Sequence, residues 1–201
     1  RGGGGGDTID GESAKSKKRA VDNTPESSSL AVAELTFALM IAMPCHIVEA
    51  DVSMKQGKWL KKELERTELY GKTLGLIGMG RIAREVAQRA AAFGMKVIAY
   101  DKFVTSSDRA EMKSLDDVLA QSDYISLHTQ LTDETTGMIN AARLATMKKG
   151  AYLVNTCRGK VVVEDDIVAA LKSGQLAGYA TDVYYSDPPE NSPIISAPHV
   201  I

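Results

Sequence analysis

The chain is expected to fold as a doubly wound α/β domain, a parallel sheet covered by helices on both faces. Three features point there. Short apolar segments alternate with helix-favouring ones from Lys72 to Thr181, the pattern of strands joined by helical crossovers. A glycine turn, Gly78-Met-Gly80, separates the first such apolar run from a helix. Polar residues collect directly after the strands, namely Asp101, His128-Thr129, Asn155-Thr-Cys-Arg158 and Asp182. Parallel sheets bind their ligands beyond that edge.

Taken in order, Arg1-Gly-Gly-Gly-Gly-Gly-Asp7 reads as a flexible linker, and residues 1–10 as a hinge. Asp10 to Lys18 forms a short helix and Asn23-Thr-Pro25 a turn. Ser27, Ser28 or Ser29 caps a long helix that starts near Leu30. It is apolar nearly all round to Met43, as suits a helix packed between elements or across a subunit boundary. Pro44 should kink or interrupt it, because proline lacks an N–H and clashes with the preceding turn. Leu74, Leu76 and Ile77 suit a strand buried on both faces. Arg81 to Phe93 is helical, and Lys96-Val-Ile-Ala-Tyr100 is the second strand. Lys102 to Lys113 looks too short to supply an edge strand. The alternation then resumes, with helices at Leu115–Ala120, Ala141–Met147 and Glu164–Lys172. Strands lie between and after them, at Asp123–Leu127, Ala151–Val154 and Ala177–Thr181.

The glycine turn carries the chemistry. Gly78 permits a tight turn, Gly80 lets backbone approach a pyrophosphate, and Ala83 is small where helix meets strand. The helix starting at Arg81 aims unpaired N–H groups and its positive dipole end at the phosphates. Asp101 follows 21 positions after Gly80, where an acid meets the hydroxyls of the adenosine ribose. The arrangement is Rossmann-like, and the acid argues for NAD over NADP. A carboxylate about 5 Å from a 2′-phosphate is repelled by roughly 3 kcal/mol per charge at an effective dielectric of 20. Lys102 would soften that repulsion. The bland alternative is a structural turn beside a surface Asp, and the full strand–turn–helix–strand context weighs against it.

Composition narrows the field further. At 201 residues one domain can bury roughly 70% of its unfolded surface. Lys plus Arg number 24 and Asp plus Glu 26, so the net charge of −2 gives no case for nucleic acid or an anionic membrane as partner. Lys15-Ser-Lys-Lys-Arg19 reads as a solvated helix face. Cys45 and Cys157 lie far apart without metal-type spacing, which fits a reduced, cytoplasmic setting. The run from Leu30 to Met43 contains Glu34 and is too short to span a bilayer, and no signal peptide is visible.

With these segments assembled, the chain resembles the cofactor-binding domain of the D-2-hydroxyacid dehydrogenases. The matching pieces run nearly end to end. They are Asn23-Thr-Pro-Glu, Val32-Ala-Glu34-Leu-Thr, Gly78-Met-Gly80-Arg-Ile, Val154-Asn-Thr-Cys-Arg158-Gly and Thr181-Asp182-Val-Tyr-Tyr-Ser-Asp187-Pro-Pro. Within the family, Ser53-Met-Lys-Gln-Gly-Lys-Trp59 and Thr67-Glu-Leu-Tyr-Gly-Lys-Thr-Leu-Gly75 are most similar to the branch that oxidises 3-phosphoglycerate.

The resemblance implies reversible hydride transfer between C2 of a 2-hydroxy acid and NAD. It makes Arg158 the arginine that binds the substrate carboxylate and 2-oxygen, and Asp187 the acid that orients the catalytic histidine, in place of the family's glutamate. It assigns the cofactor to Gly78, Gly80, Arg81, Ile82, Asp101, Thr129, Cys157 and Asp182. Cys157 itself reads as a packed residue rather than a nucleophile. His199, in Ala197-Pro-His-Val-Ile201, matches the loop and strand start that precede the family's Thr-Pro-His segment, so the base is expected beyond Ile201. His128 is expected to line the cofactor cleft, and His46 to sit at the broken end of the long helix. Gln130 stands where the family has a proline, and Thr8 where it has an asparagine. The family's substrate domain falls largely outside this chain, so the chain alone is expected to bind cofactor and turn over little. A homodimer through residues 30–56 is implied as well. Two rival readings stay open: an NAD-sensing co-regulator, and a family member acting on glyoxylate, lactate or formate.

Overall fold

In the computed structural model, which describes residues 9–17, 20 and 25–201 and only the backbone of 25–27, six parallel strands form one sheet. They are β1 (Thr73–Ile77), β2 (Lys96–Tyr100), β3 (Glu111–Met112), β4 (Tyr124–Leu127), β5 (Ala151–Asn155) and β6 (Leu176–Thr181), in the order β3-β2-β1-β4-β5-β6. The chain therefore winds outward twice from β1, and the direction of winding reverses between β1 and β4. A crevice opens at the carboxyl ends of the strands where that reversal falls.

The helices are α1 (Gly11–Ser16), α2 (Pro25–Ala42), α3 (Ile47–Lys55), α4 (Arg81–Ala92), α5 (Leu115–Gln121), α6 (Ala141–Thr146) and α7 (Glu164–Ser173). Strand alternation divides the core between the two faces of the sheet. Leu74, Leu76, Tyr124 and Val154 join Ala33, Phe37 and Met40 of α2 and Val86 and Ala90 of α4. Ile77, Ile125, Leu127 and Leu153 join Val118 and Leu119 of α5, Leu144 of α6 and Ile167 of α7. Every residue of β4 is buried, as a strand covered on both faces requires. Gly75 sets the spacing on the second face, since a Cβ there would lie 2.1 Å from Ser122 Oγ and 2.8 Å from Val118.

Two sequence expectations are corrected. The long helix begins at Pro25 and not near Leu30, so Ser28 and Ser29 lie inside it rather than ahead of its first turn. Proline suits a first helical position, where its missing N–H costs nothing. An edge strand does form after Lys102: Glu111 and Met112 pair with Ile98 and Ala99. Two residues suffice there, because Lys113 N also donates to Ala99 O at 2.8 Å. Within the region 30–56, α2 and α3 meet at 63° across the turn holding Pro44. Pro44 interrupts the helix as expected, and His46 caps α3 in a left-handed conformation with φ of 52°.

Among the described residues no single helix is long and apolar enough to cross a membrane. The glycine linker, Thr8 and Asn23-Thr24 lie outside the described residues. At the far edge, Val200 pairs in parallel with Tyr179, and Thr181 N donates to Ile201 O at 3.0 Å. His199 therefore precedes a strand start.

Candidate functional site

Gly78 closes β1 with φ of 99°, and a Cβ on it would come within 2.3 Å of the His128 carbonyl oxygen. Both facts demand glycine. The ends of three strands are tied here: Gly78 N donates to Tyr100 O at 2.8 Å, and His128 N to Ile77 O at 2.7 Å. Gly80 differs. It caps α4 with φ of −82°, and a Cβ built there would meet no protein atom within 4 Å. Nothing in the fold forbids a side chain at Gly80, which leaves open space at the first turn of a helix whose N–H groups point outward. Arg81 and Ile82 begin that helix, Arg81 exposed and Ile82 packed partly against the core.

Asp101 stands at the end of β2, half-buried, and fastens this turn. Its Oδ2 accepts from Met79 N at 2.8 Å, and its Oδ1 from Phe103 N at 2.8 Å and Val104 N at 2.9 Å. Burial pushes the carboxyl up, but the N–H groups of Val104, Phe103 and Met79 outweigh it and hold its pKa below the ordinary value. A carboxylate has about four acceptor positions, so Oδ2 keeps capacity for a further hydroxyl.

Beyond β4, the ring of His128 meets Ser126 Oγ through Nε2 at 2.8 Å, and burial lowers its pKa to about 4. The Thr129 hydroxyl is buried without a hydrogen bond of ordinary geometry among the described residues, although it lies close enough to the Cys157 thiol to favour the thiolate. Burial of that thiol wins, so its pKa is raised. Cys157 is thus a packed thiol rather than an activated one, and both cysteines are free.

Asn155 organises the loop after β5, a role the sequence did not single out. Fully buried, it accepts from Cys157 N at 3.1 Å and from Cys157 Sγ at 3.2 Å, while its Nδ2 donates to Arg158 O at 2.9 Å. An Asn that directly follows an apolar strand is the available signal for such a turn. Arg158 itself is part-buried, and its guanidinium donates to Cys157 O at 2.6 Å. Gly159 then lets the chain after β6 pass close, since a Cβ on it would lie 2.2 Å from the Tyr184 carbonyl. Arg158 is thereby set beside the segment that starts at Asp182. Asp182 faces solvent at the end of β6, and the protein wall behind it pushes its carboxyl pKa up.

These residues form one continuous line along the carboxyl edge of the sheet: Asp101, Met79, Gly78, His128, Thr129, Cys157, Arg158 and the Tyr184 backbone. Asp187 is exposed on the loop beyond Asp182. His199 lies beside β6 at the edge of the sheet, its carbonyl accepting from Tyr179 N at 3.0 Å. It is exposed and lines a cavity with His46, Tyr152 and Ala177, next to the start of β6. His46 sits at the helix break, with Nε2 3.1 Å from Glu65 O.

The chain fits a dinucleotide on its own geometry. The space at Gly80 is a cradle that a side chain would fill, and the buried Thr129 hydroxyl, beside the Cys157 thiol, makes no hydrogen bond of ordinary geometry among the described residues. Fold and site together define a dinucleotide-binding domain of the doubly wound type. The chain belongs to the D-isomer specific 2-hydroxyacid dehydrogenases, whose NAD-binding domain matches residues 37–201. Hydroxypyruvate reductase of Thermotoga maritima is 44% identical over 204 residues, covering 96% of this chain and 67% of the reductase. D-3-phosphoglycerate dehydrogenase of Methanocaldococcus jannaschii is 40% identical over 206 residues, all of this chain but 39% of that protein. The solved NAD-dependent formate dehydrogenase of Staphylococcus aureus, in complex with NAD, superposes with a TM-score of 0.90 at 33% identity, over 99% of this chain and 61% of its own. The chain thus spans about two-fifths of the dehydrogenase's length and two-thirds of the reductase's.

Proposed function

We propose that the protein carrying this chain is an NAD-dependent oxidoreductase acting at C2 of a 2-hydroxy acid, with 3-phosphoglycerate as substrate and 3-phosphohydroxypyruvate as product, on the route to serine. The observation that carries the reading is the unbroken line of groups from Asp101 to Arg158 along one sheet edge. The choice of substrate is supported by the segments Ser53–Trp59 and Thr67–Gly75 and by the phosphoglycerate dehydrogenases among the relatives.

When bound, the nicotinamide supplies the hydride acceptor. Gly78, Gly80, Arg81 and Ile82 would seat the diphosphate through backbone N–H groups and the α4 dipole. Asp101 would take the adenosine ribose, with Thr129, Cys157 and Asp182 at the nicotinamide end. Arg158 offers a planar fork to the substrate's carboxylate and 2-oxygen, and its charge stabilises the alkoxide that develops as the proton leaves. Asp187 would orient a histidine base lying beyond Ile201. Aspartate keeps the charge of the family's glutamate with one methylene less reach. The apolar stretch 30–56 is read as the surface that joins two copies of the protein.

A second reading, reduction of hydroxypyruvate or glyoxylate, is favoured by the 44% identity to the Thermotoga reductase. Initial rates of the full-length protein on 3-phosphoglycerate, glycerate, glyoxylate, lactate and formate separate the two. The expected result is a kcat/KM for 3-phosphoglycerate at least about tenfold above the others. Loss of about 100-fold in kcat/KM is expected on Arg158→Lys, because a point charge cannot replace the fork. A preference for unphosphorylated acids would hand the assignment to the second reading.

A further inference from the structure

The loop after β2 carries an acid and a base side by side, and the fold treats them differently. Asp101 is turned inward onto the backbone N–H groups of Met79, Phe103 and Val104. Lys102 reaches across the crevice instead. Its Nζ lies 2.7 Å from both Oε1 and Oε2 of Glu134, on the loop that follows β4. β2 and β4 flank β1 in the sheet, so this ion pair links the two loops on either side of the glycine turn. The neighbouring cations are also engaged: Arg84 pairs with Asp108 at 3.0 Å, and the Arg109 guanidinium bonds to Gln88 Oε1.

A ribose 2′-phosphate needs a cation beside the end of β2. Lys102 follows the ribose-facing acid directly and is the residue placed to supply one. Supplying it would require release from Glu134. We propose that Glu134 is a cofactor-specificity residue: by sequestering Lys102 it leaves the charge of Asp101 uncompensated against NADP. The proposal rests on the dinucleotide reading of the crevice. Lys102 and Glu134 are 55% and 70% exposed in their side chains, so the pair is held weakly and screened by salt. Its share of the discrimination is therefore modest and falls as ionic strength rises.

Fluorescence titration of the purified protein with NADH and with NADPH tests this on wild type, Glu134→Gln, Lys102→Met and the double variant. At low salt, Glu134→Gln should tighten NADPH by up to about fivefold while NADH changes less than about twofold. The double variant should lose that gain, and added KCl should shrink it. An unchanged NADPH affinity in Glu134→Gln, or a gain that persists without Lys102, would overturn the assignment. A wild-type protein that binds neither nucleotide would overturn the dinucleotide reading beneath it as well.

Discussion

Gly78 and Gly80 belong to one motif but are glycine for different reasons. At Gly78 the protein itself demands it, through a φ of 99° and the His128 carbonyl 2.3 Å from a Cβ. At Gly80 the backbone is allowed for any residue and the space is empty, so the demand comes from a ligand. Gly78→Ala should therefore cost on the order of 2–4 kcal/mol of stability. Gly80→Ala should stay within about 1 kcal/mol of wild type and still weaken NADH binding by tenfold or more. Urea unfolding and nucleotide titration on both variants check the contrast; equal destabilisation would remove the argument for a cradle. His128 gives a second handle. Its folded pKa is depressed from 6.5 to about 4 by burial, so the unfolded chain takes up the proton first as pH falls. The stabilisation from keeping the ring neutral is complete above pH 6.5 and is lost towards pH 4, up to about 3 kcal/mol. Urea midpoints across that range should decline in wild type and decline less in His128→Asn.

Elements are held at the site by a few specific ties. Thr36 donates its hydroxyl to Val32 O at 2.8 Å and lies 2.8 Å from Thr156 Oγ1. One hydroxyl has one proton, so Thr156 is the donor between them. That buried bond fixes α2 against the loop that bears Cys157 and Arg158. The alternation of strands and helices was legible because each strand is an apolar run bounded by turn residues. The start of α2 and the strand β3 were not. Serines at residues 27–29 look like caps, yet a proline just before them begins the helix better. A two-residue strand has no periodicity to read, and it exists because β2 offers it an unpaired edge.

On the scale of the whole molecule, the α2–α3 region leaves Leu30, Leu35, Ile47, Val48, Val52 and Met54 exposed, each at 40% or more. Exposed apolar side chains of that kind suit the association proposed for this region. The intact protein is therefore expected to run as a dimer in light scattering, and Val52→Glu with Met54→Glu should shift it towards monomer. A monomeric wild type would count against the role given to residues 30–56.

By itself the sequence determined the doubly wound architecture, the glycine turn and its distant acid, because these are matters of local propensity and spacing along the chain. It also located the polar clusters that end the strands, since a strand's end is a local event. Only the tertiary structure decided which of those clusters touch. Thr129 meets Cys157, Gly159 meets Tyr184, and Glu134 holds Lys102, pairs separated by 25 to 32 positions. It likewise set the backbone of His199 against Tyr179 within β6, at the sheet's edge, with the residue exposed. Such contacts follow from strand order and from the handedness of the crossovers, which no stretch of residues specifies alone.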